Sequence, residues 1–218
     1  CDGGIKMKIV IVYDNVATDP FKSGWGFSCY IKEKQILFDT GDNGKALLHN
    51  MRLLDIDPGE IEKIVLSHDH FDHTGGLKSL LEINEDVEVF VPEGFSRFKL
   101  RGIKNYRTVA EPLEISNGCI VSGGIDKRKF EQVMVVKTGK KVSVITGCAH
   151  PGLDRILDFA KKFGEIGAVI GGFHGFKDIE ILKDLDLVLP CHCTRYKKEI
   201  LEMDNSESCQ VGKEIVLE

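Results

Sequence analysis

Short runs of apolar, largely β-branched residues mark the opening of the chain: KIVIVY reads as a strand, and FSCYIK and QILFD read as a hairpin broken at Glu33-Lys34. From Lys45 to Leu54 the rhythm changes, and Ala46, Leu47, Leu48, Met51 and Leu54 fall at helical spacing. The run KIVLS then predicts a short strand leading straight into His68-Asp69-His70-Phe71-Asp72-His73, which places this cluster on a loop at a strand's carboxyl end. A helix over Leu77 to Leu81, the strand VEVFV, a Pro-Glu-Gly turn and strands near Cys119 to Ser122, Gln132 to Lys137 and Lys141 to Thr146 follow.

The last third alternates strand and helix: VSVIT, a helix from Leu153 to Phe163, AVIGG, a helix near Ile179 to Leu185, and LVLP. Each of these strands runs into a histidine, His150, His174 and His192 in turn. Ligands of α/β layers gather outside the carboxyl ends of strands, so these histidines are expected on one rim. The pattern predicts an α/β fold of two layers packed sheet to sheet with helices outside. No repeat, linker or low-complexity tract divides it, and a single domain over residues 1–218 is expected.

Composition narrows the class. With 42% hydrophobic and 29% charged residues the chain can bury a substantial core. Its formal charge of -5, with both signs interspersed, offers no basic face for a nucleic-acid backbone. No apolar run reaches the roughly 20 residues of a membrane span, and the opening CDGGIKMK lacks a signal peptide's apolar core. The reading is a cytoplasmic protein with Met7 as its native start, against Cys1 as a lipid-bearing terminus. The seven cysteines, Cys1, Cys29, Cys119, Cys148, Cys191, Cys193 and Cys209, form no CxxC pair and suggest neither a disulfide framework nor a zinc finger.

Six of the seven histidines occupy Gly-, Asp- or Cys-flanked loops, while His49 falls on a predicted helix face. In His68-x-His70-x-Asp72-His73 the short spacings let imidazoles and a carboxylate converge on a borderline cation such as Zn(II), Mn(II) or Fe(II). The alternative, a polar loop satisfied by hydrogen bonds alone, would crowd titratable groups with no cation to order them.

This motif, preceded by Phe38-Asp39-Thr40-Gly41 and followed by Thr74-Gly75-Gly76-Leu77, resembles the metallo-β-lactamase superfamily over most of the chain. The resemblance implies a four-layer αββα sandwich. It makes His68 and His70 ligands of a first metal, Asp72 and His73 ligands of a second, and Asp39 a buried carboxylate supporting them. Gly26-Phe27-Ser28, SHDHFDHTGGL, Ser122-Gly123-Gly124-Ile125, TGCAHPG, GGFH and PCHCT are together similar to the subfamily named for 7,8-dihydropterin-6-methyl-4-(β-D-ribofuranosyl)-aminobenzene-5'-phosphate synthase. Two departures stand out: the stretch between Asp86 and Gln132 is compact, and Arg195 replaces an expected glycine.

Many hydrolases of the superfamily carry a bridging aspartate after Thr-Gly; here Thr146-Gly147 is followed by Cys148. Either Cys148 supplies a thiolate, or His150 completes the first metal's shell while Cys148 packs inward. By the same resemblance His192 completes the second metal, and His174 is a proton donor, a substrate-binding group or a ligand. Cys191 and Cys193, flanking His192 on a strand end, are expected to point away from it as packing residues.

The expected protein is a metal-dependent hydrolase holding two divalent ions, zinc first and manganese or iron next. It acts on a phosphorylated small molecule, with Asp72 orienting the attacking water and His174 protonating the leaving group. By the resemblance its most specific form is the pterin-linked synthase reaction; a generic phosphodiesterase or other ester hydrolase on the same scaffold and an iron-based redox or sensor protein are the alternatives. Against the last, the superfamily's oxygen-reducing members carry glutamate where this chain has His70.

Overall fold

The computed structural model describes residues 6–126 and 130–218, so Cys1 lies outside the described residues. The strands are β1 (Met7–Tyr13), β2 (Ser28–Ile31), β3 (Ile36–Phe38), β4 (Lys63–Val65), β5 (Glu88–Pro92), β6 (Tyr106–Val109), β7 (Leu113–Ser116), β8 (Cys119–Val121), β9 (Met134–Thr138), β10 (Lys141–Thr146), β11 (Glu165–Gly172), β12 (Leu187–Cys191) and β13 (Glu214–Leu217). The helices are α1 (Gly44–Leu53), α2 (Phe71–Thr74), α3 (Leu77–Leu81), α4 (Leu153–Ala160) and α5 (Lys197–Ile200). One sheet has the order β13-β1-β2-β3-β4-β5-β6 and the other β12-β11-β10-β9-β8-β7. No described helix is long and apolar enough to cross a membrane.

Period-two alternation along the strands builds the layers. In β1, Ile9 and Ile11 belong to a cluster shared with Phe38, Val121, Met134, Ile145 and Ile170, the core between the sheets. Val10 and Val12 face the other way and join Leu47, Met51, Leu77 and Leu80 of α1 and α3. In β10, Ile145 points to the central core, while Val142 and Val144 meet Leu153, Ile156 and Leu157 of α4. Helix, sheet, sheet and helix therefore stack as an αββα sandwich, the architecture expected from the sequence.

Within each sheet a parallel set aligns strand ends. Strands β3, β4, β5 and β6 are parallel in the first sheet, and β10, β11 and β12 in the second. Gln132 stitches the two sheets behind this rim: its N–H donates to the Ser67 carbonyl at 2.8 Å and its Nε2 to the Leu66 and Phe90 carbonyls at 2.8 and 3.1 Å.

Several local expectations are corrected. The hairpin of β2 and β3 forms, with Lys32–Lys34 as a 3₁₀ turn between them. The helix foreseen over Leu153 to Phe163 ends at Ala160, and that near Ile179 to Leu185 is a 3₁₀ turn over Ile179–Leu182. The histidine cluster is partly helical, because Phe71–Thr74 closes one turn inside it. Helix α1 starts where foreseen, because the Asn43 side chain accepts from the N–H groups of Lys45 and Ala46 at 3.0 and 3.1 Å.

At the rim, β10 and β11 approach too closely for a side chain. Gly171 has φ +128°, pairs with Thr146, and a Cβ placed on it would stand 1.9 Å from the Thr146 carbonyl oxygen. Gly171→Ala combines a backbone clash with a strained dihedral, so it is expected to destabilise the fold by roughly 2–5 kcal/mol. Urea unfolding checks this as a lowered midpoint at unchanged slope.

Candidate metal centre

The first histidine leaves β4 directly. Ser67 donates its N–H to Asp39 Oδ1 and its hydroxyl to Asp39 Oδ2, both at 2.7 Å. With that proton committed, Ser67 Oγ accepts from His68 Nδ1 at 2.9 Å, and His68 Nε2 keeps its lone pair. That Nε2 is buried and has no hydrogen-bond partner among the described residues. An orphaned buried acceptor is costly unless a cation meets it. Asp39 Oδ2 also accepts from His73 Nδ1 at 2.6 Å, which fixes the second imidazole the same way. Asp39 is fully buried at φ 55°, and burial pushes its carboxyl up to about 7 against the pull of His68 and Ser67. Asp39 thus holds Ser67 and His73 from beneath the cluster.

The one-turn helix α2 presents Asp72 and His73 side by side. Asp72 Oδ2 lies 3.6 Å from His73 Nε2 and 3.1 Å from His192 Nε2. Burial pushes the Asp72 carboxyl up, but the hydrogen bond from His192 and the attraction of the two neighbouring imidazoles outweigh it and hold the group well below the usual carboxylate range. Burial lowers His68 and His73 to about 3, which keeps both rings in the neutral form that metals bind.

The turn after β10 is wrapped around a residue that sequence reading passed over. Glu131 is fully buried, and its carboxylate accepts from the N–H groups of Cys148, Ala149 and His150, each at 2.8 Å. Thr146 Oγ1 donates at 3.2 Å and His150 Nδ1 at 2.8 Å. Burial raises the Glu131 carboxyl, yet the His150 bond and the neighbouring imidazoles depress it far below its ordinary value. The signal available in the sequence was an acid at the mouth of an apolar strand, Glu131 before Gln132 and Val133.

His192 follows β12 at φ 43°. Its N–H donates to Asp14 Oδ1 at 2.8 Å, its Nδ1 faces Asn15 Oδ1 at 3.0 Å, and Asn15 Nδ2 donates back to its carbonyl at 3.1 Å. Asp14 and Asn15, just past β1, were also missed. The left-handed turn at His192 takes the chain off the strand, so the alternation expected for its flanking cysteines fails beyond it. Cys191 is buried in the central core. Cys193 instead brings its sulfur within 3.3 Å of Cys148 Sγ, which corrects the expectation that it points away from His192's side of the strand end.

Besides a buried set of Asp14, Cys191 and Cys209, two sets of ligand atoms meet at this rim, each with all members within 4.8 Å of one another: Asp72, His73, Cys148 and His192 in one, and His68, Cys148 and His150 in the other. Cys148 belongs to both. His70 belongs to neither set; it is exposed, with its ring 4.5 Å from that of His68 and 5.0 Å from that of His150. His174, also exposed and at φ 43°, places its ring 5.2 Å from that of His150. His49 stands apart on α1, with Nε2 2.9 Å from the Pro20 carbonyl. Imidazole, carboxylate and thiol donors around an unpartnered buried nitrogen fit a borderline divalent ion.

Comparison with known proteins identifies the family. The family model described as the metallo-beta-lactamase superfamily matches residues 29–159. An uncharacterized protein of Methanocaldococcus jannaschii is 31% identical over 94% of this chain and 98% of its own length. The 7,8-dihydropterin-6-methyl-4-(beta-D-ribofuranosyl)-aminobenzene-5'-phosphate synthase of the same organism is 31% identical over 85% of this chain and 86% of its own. A crystal structure of a metal-dependent hydrolase of the beta-lactamase superfamily superposes with a TM-score of 0.81 at 28% identity, covering 96% of this chain and 98% of that one. With its two sheets, its strand-end histidines and these relatives, the chain belongs to the metallo-β-lactamase superfamily.

Proposed function

We propose that the protein is a metal-dependent hydrolase that binds two divalent ions and cleaves a phosphorylated small molecule. The observation that carries this reading is the pair of ligand sets meeting at Cys148, with His68 Nε2 buried and unpartnered in one of them. His68, Cys148 and His150 would hold one ion, with His70 at its open side, and Asp72, His73, Cys148 and His192 the other. Ions held there would supply Lewis acidity toward a phosphoryl oxygen and an attacking water.

The chain's own groups do the rest. Asp72, ionised through the physiological range, accepts a hydrogen bond from the attacking water and aims it. His174, on the exposed side of His150, protonates the departing oxygen. Asp39, Glu131 and Asn15 hold His73, His150 and His192 by their Nδ1 atoms, so the opposite nitrogens face the centre without rearrangement.

A second reading, a synthase-type reaction on an aromatic phosphorylated substrate, draws on the named relative and on two aromatic side chains beside the centre. Trp25 is 57% exposed with its ring 4.9 Å from that of His192, and Phe71 is 66% exposed next to His70. Elemental analysis combined with hydrolysis of bis(p-nitrophenyl) phosphate tests the first reading. The expected result is up to two ions per chain and turnover that a chelator abolishes and added zinc or manganese restores. A chain that takes up no divalent ion on titration overturns both the reaction and the site.

A further inference from the structure

We propose that Lys99 is a positioning residue of the centre: its ammonium fixes the backbone on both sides of His70 and thereby aims that imidazole at the ion position of His68, Cys148 and His150. The inference rests on the metal-dependent reading above and concerns the one histidine of the cluster that lies outside both ligand sets.

The rings of His68, His73, His150 and His192 are each held through Nδ1, by Ser67, Asp39, Glu131 and Asn15 in turn. His70 has no such hold. Its ring is exposed and makes no hydrogen bond among the described residues, standing instead against the rings of His68 and His150. Which rotamers such a side chain can use depends on its backbone φ and ψ. The direction of this imidazole is therefore set by its main chain, at φ -68° and ψ 149° just ahead of the one-turn helix α2.

Lys99 holds the peptide on each side of that residue. Its Nζ donates to the Asp69 carbonyl, which belongs to the peptide entering His70. It also donates to Thr74 Oγ1 at 3.1 Å, and that hydroxyl donates in turn to the His70 carbonyl at 3.0 Å, in the peptide leaving it. An ammonium supplies three donors from one atom, and bonds from a charged donor are about twice as strong as neutral ones. Burial lowers the ammonium's pKa, while the carboxylates of Asp69 and Asp72 pull against that and favour the charge. The anchor is firm at its other end. Lys99 lies in the connection between β5 and β6, where its N–H donates to the Ser96 carbonyl at 3.0 Å, and Phe95 and Ile103 on either side are buried in the core shared with α1 and α3. The compact stretch after Asp86 thus reaches back to the histidine cluster and becomes part of its support.

The test is zinc titration of the full chain against a chromophoric chelator, with His70→Ala marking the binding step that uses this imidazole. Lys99→Met, which keeps the apolar stem but no donor, should weaken that same step by about 10–100-fold, the range for loss of a group that orients a metal ligand. Lys99→Arg, which keeps the charge and a donor at similar reach, should recover most of the affinity. The double variant decides the matter: in the His70→Ala background, Lys99→Met should cost nothing more, because its effect passes through His70. A lysine that merely fastened the loop would weaken zinc binding by the same factor with or without that imidazole. Thr74→Val should show the same dependence on His70, and it carries the cycle if Lys99→Met fails to fold, which urea unfolding of the metal-free chains reports. Unchanged zinc affinity in Lys99→Met or in His70→Ala overturns this inference alone, as does a loss that repeats in full in the double variant. No zinc binding by the wild type overturns the inference together with the metal-dependent reading beneath it.

Discussion

Glu131→Ala is expected to lower the unfolding free energy by about 3–5 kcal/mol, as breaking a buried charged pair does when one partner is removed. Glu131 receives three backbone N–H groups, the Thr146 hydroxyl and His150 Nδ1, and truncation removes the acceptor that all of these buried or half-buried donors share. Folded domains hold only about 5–15 kcal/mol in total, so the loss should be plain in urea unfolding of the metal-free chain. Glu131→Gln keeps the volume but sets an amide N–H₂ against donors; its smaller stability loss should accompany a 10–100-fold drop in zinc affinity, because His150 loses its orienting partner. The sign of the pH dependence follows. The fold holds Glu131 below its ordinary value of 4.5, so its stabilisation is complete above that pH and is lost as the pH falls toward the depressed folded value. Wild-type stability should therefore fall on acidification, and the limb due to this carboxylate should be missing in Glu131→Gln.

Asp72→Ala is expected to cut bis(p-nitrophenyl) phosphate hydrolysis by about 10²–10⁴-fold, the range for removal of a positioned proton-handling group. The residue sits 3.1 Å from His192 Nε2 and 3.6 Å from His73 Nε2, so its loss also weakens the ion held by those imidazoles. Its side chain is only partly buried and supports no packed core, so the melting temperature of the metal-free chain should change little. A steady-state assay at saturating zinc separates the two effects: occupancy is restored by excess metal, and the catalytic deficit is not. Unchanged turnover in this variant would remove Asp72 from the mechanism and leave it as a ligand at most.

How far the sequence foretold this centre depends on distance along the chain. The cluster from His68 to His73 is legible because its members are neighbours, and His150, His174 and His192 because each ends an apolar run. The groups that orient them carry no such pattern. Asn15 reaches His192 across 177 positions, and Glu131 meets the turn that follows β10 only because β9 and β10 pair antiparallel. An isolated acid or amide beside a strand is unremarkable until the sheets close. The same limit explains the strands that went unread: β6 has three exposed residues of four and gives only Val109 to the central core, β7 packs Leu113 and Ile115 on that core without burying either fully, and β13 gains its place only by pairing with β1. Helix α4 was over-extended because Phe163 continues the apolar spacing after the hydrogen bonding has stopped.

The turn around Glu131 has a bearing on what the centre can hold. Successive backbone N–H groups from Cys148 to His150 curl around one point, the concave arrangement that in many proteins grips a phosphate. Here the protein's own carboxylate already fills that cradle from the inner side. On the proposed function, a phosphate arriving at the rim would find these amides spoken for, and recognition of its charge would fall to the cations held by the ligand sets, so that occupancy of the centre and recognition of an anionic substrate would become one event.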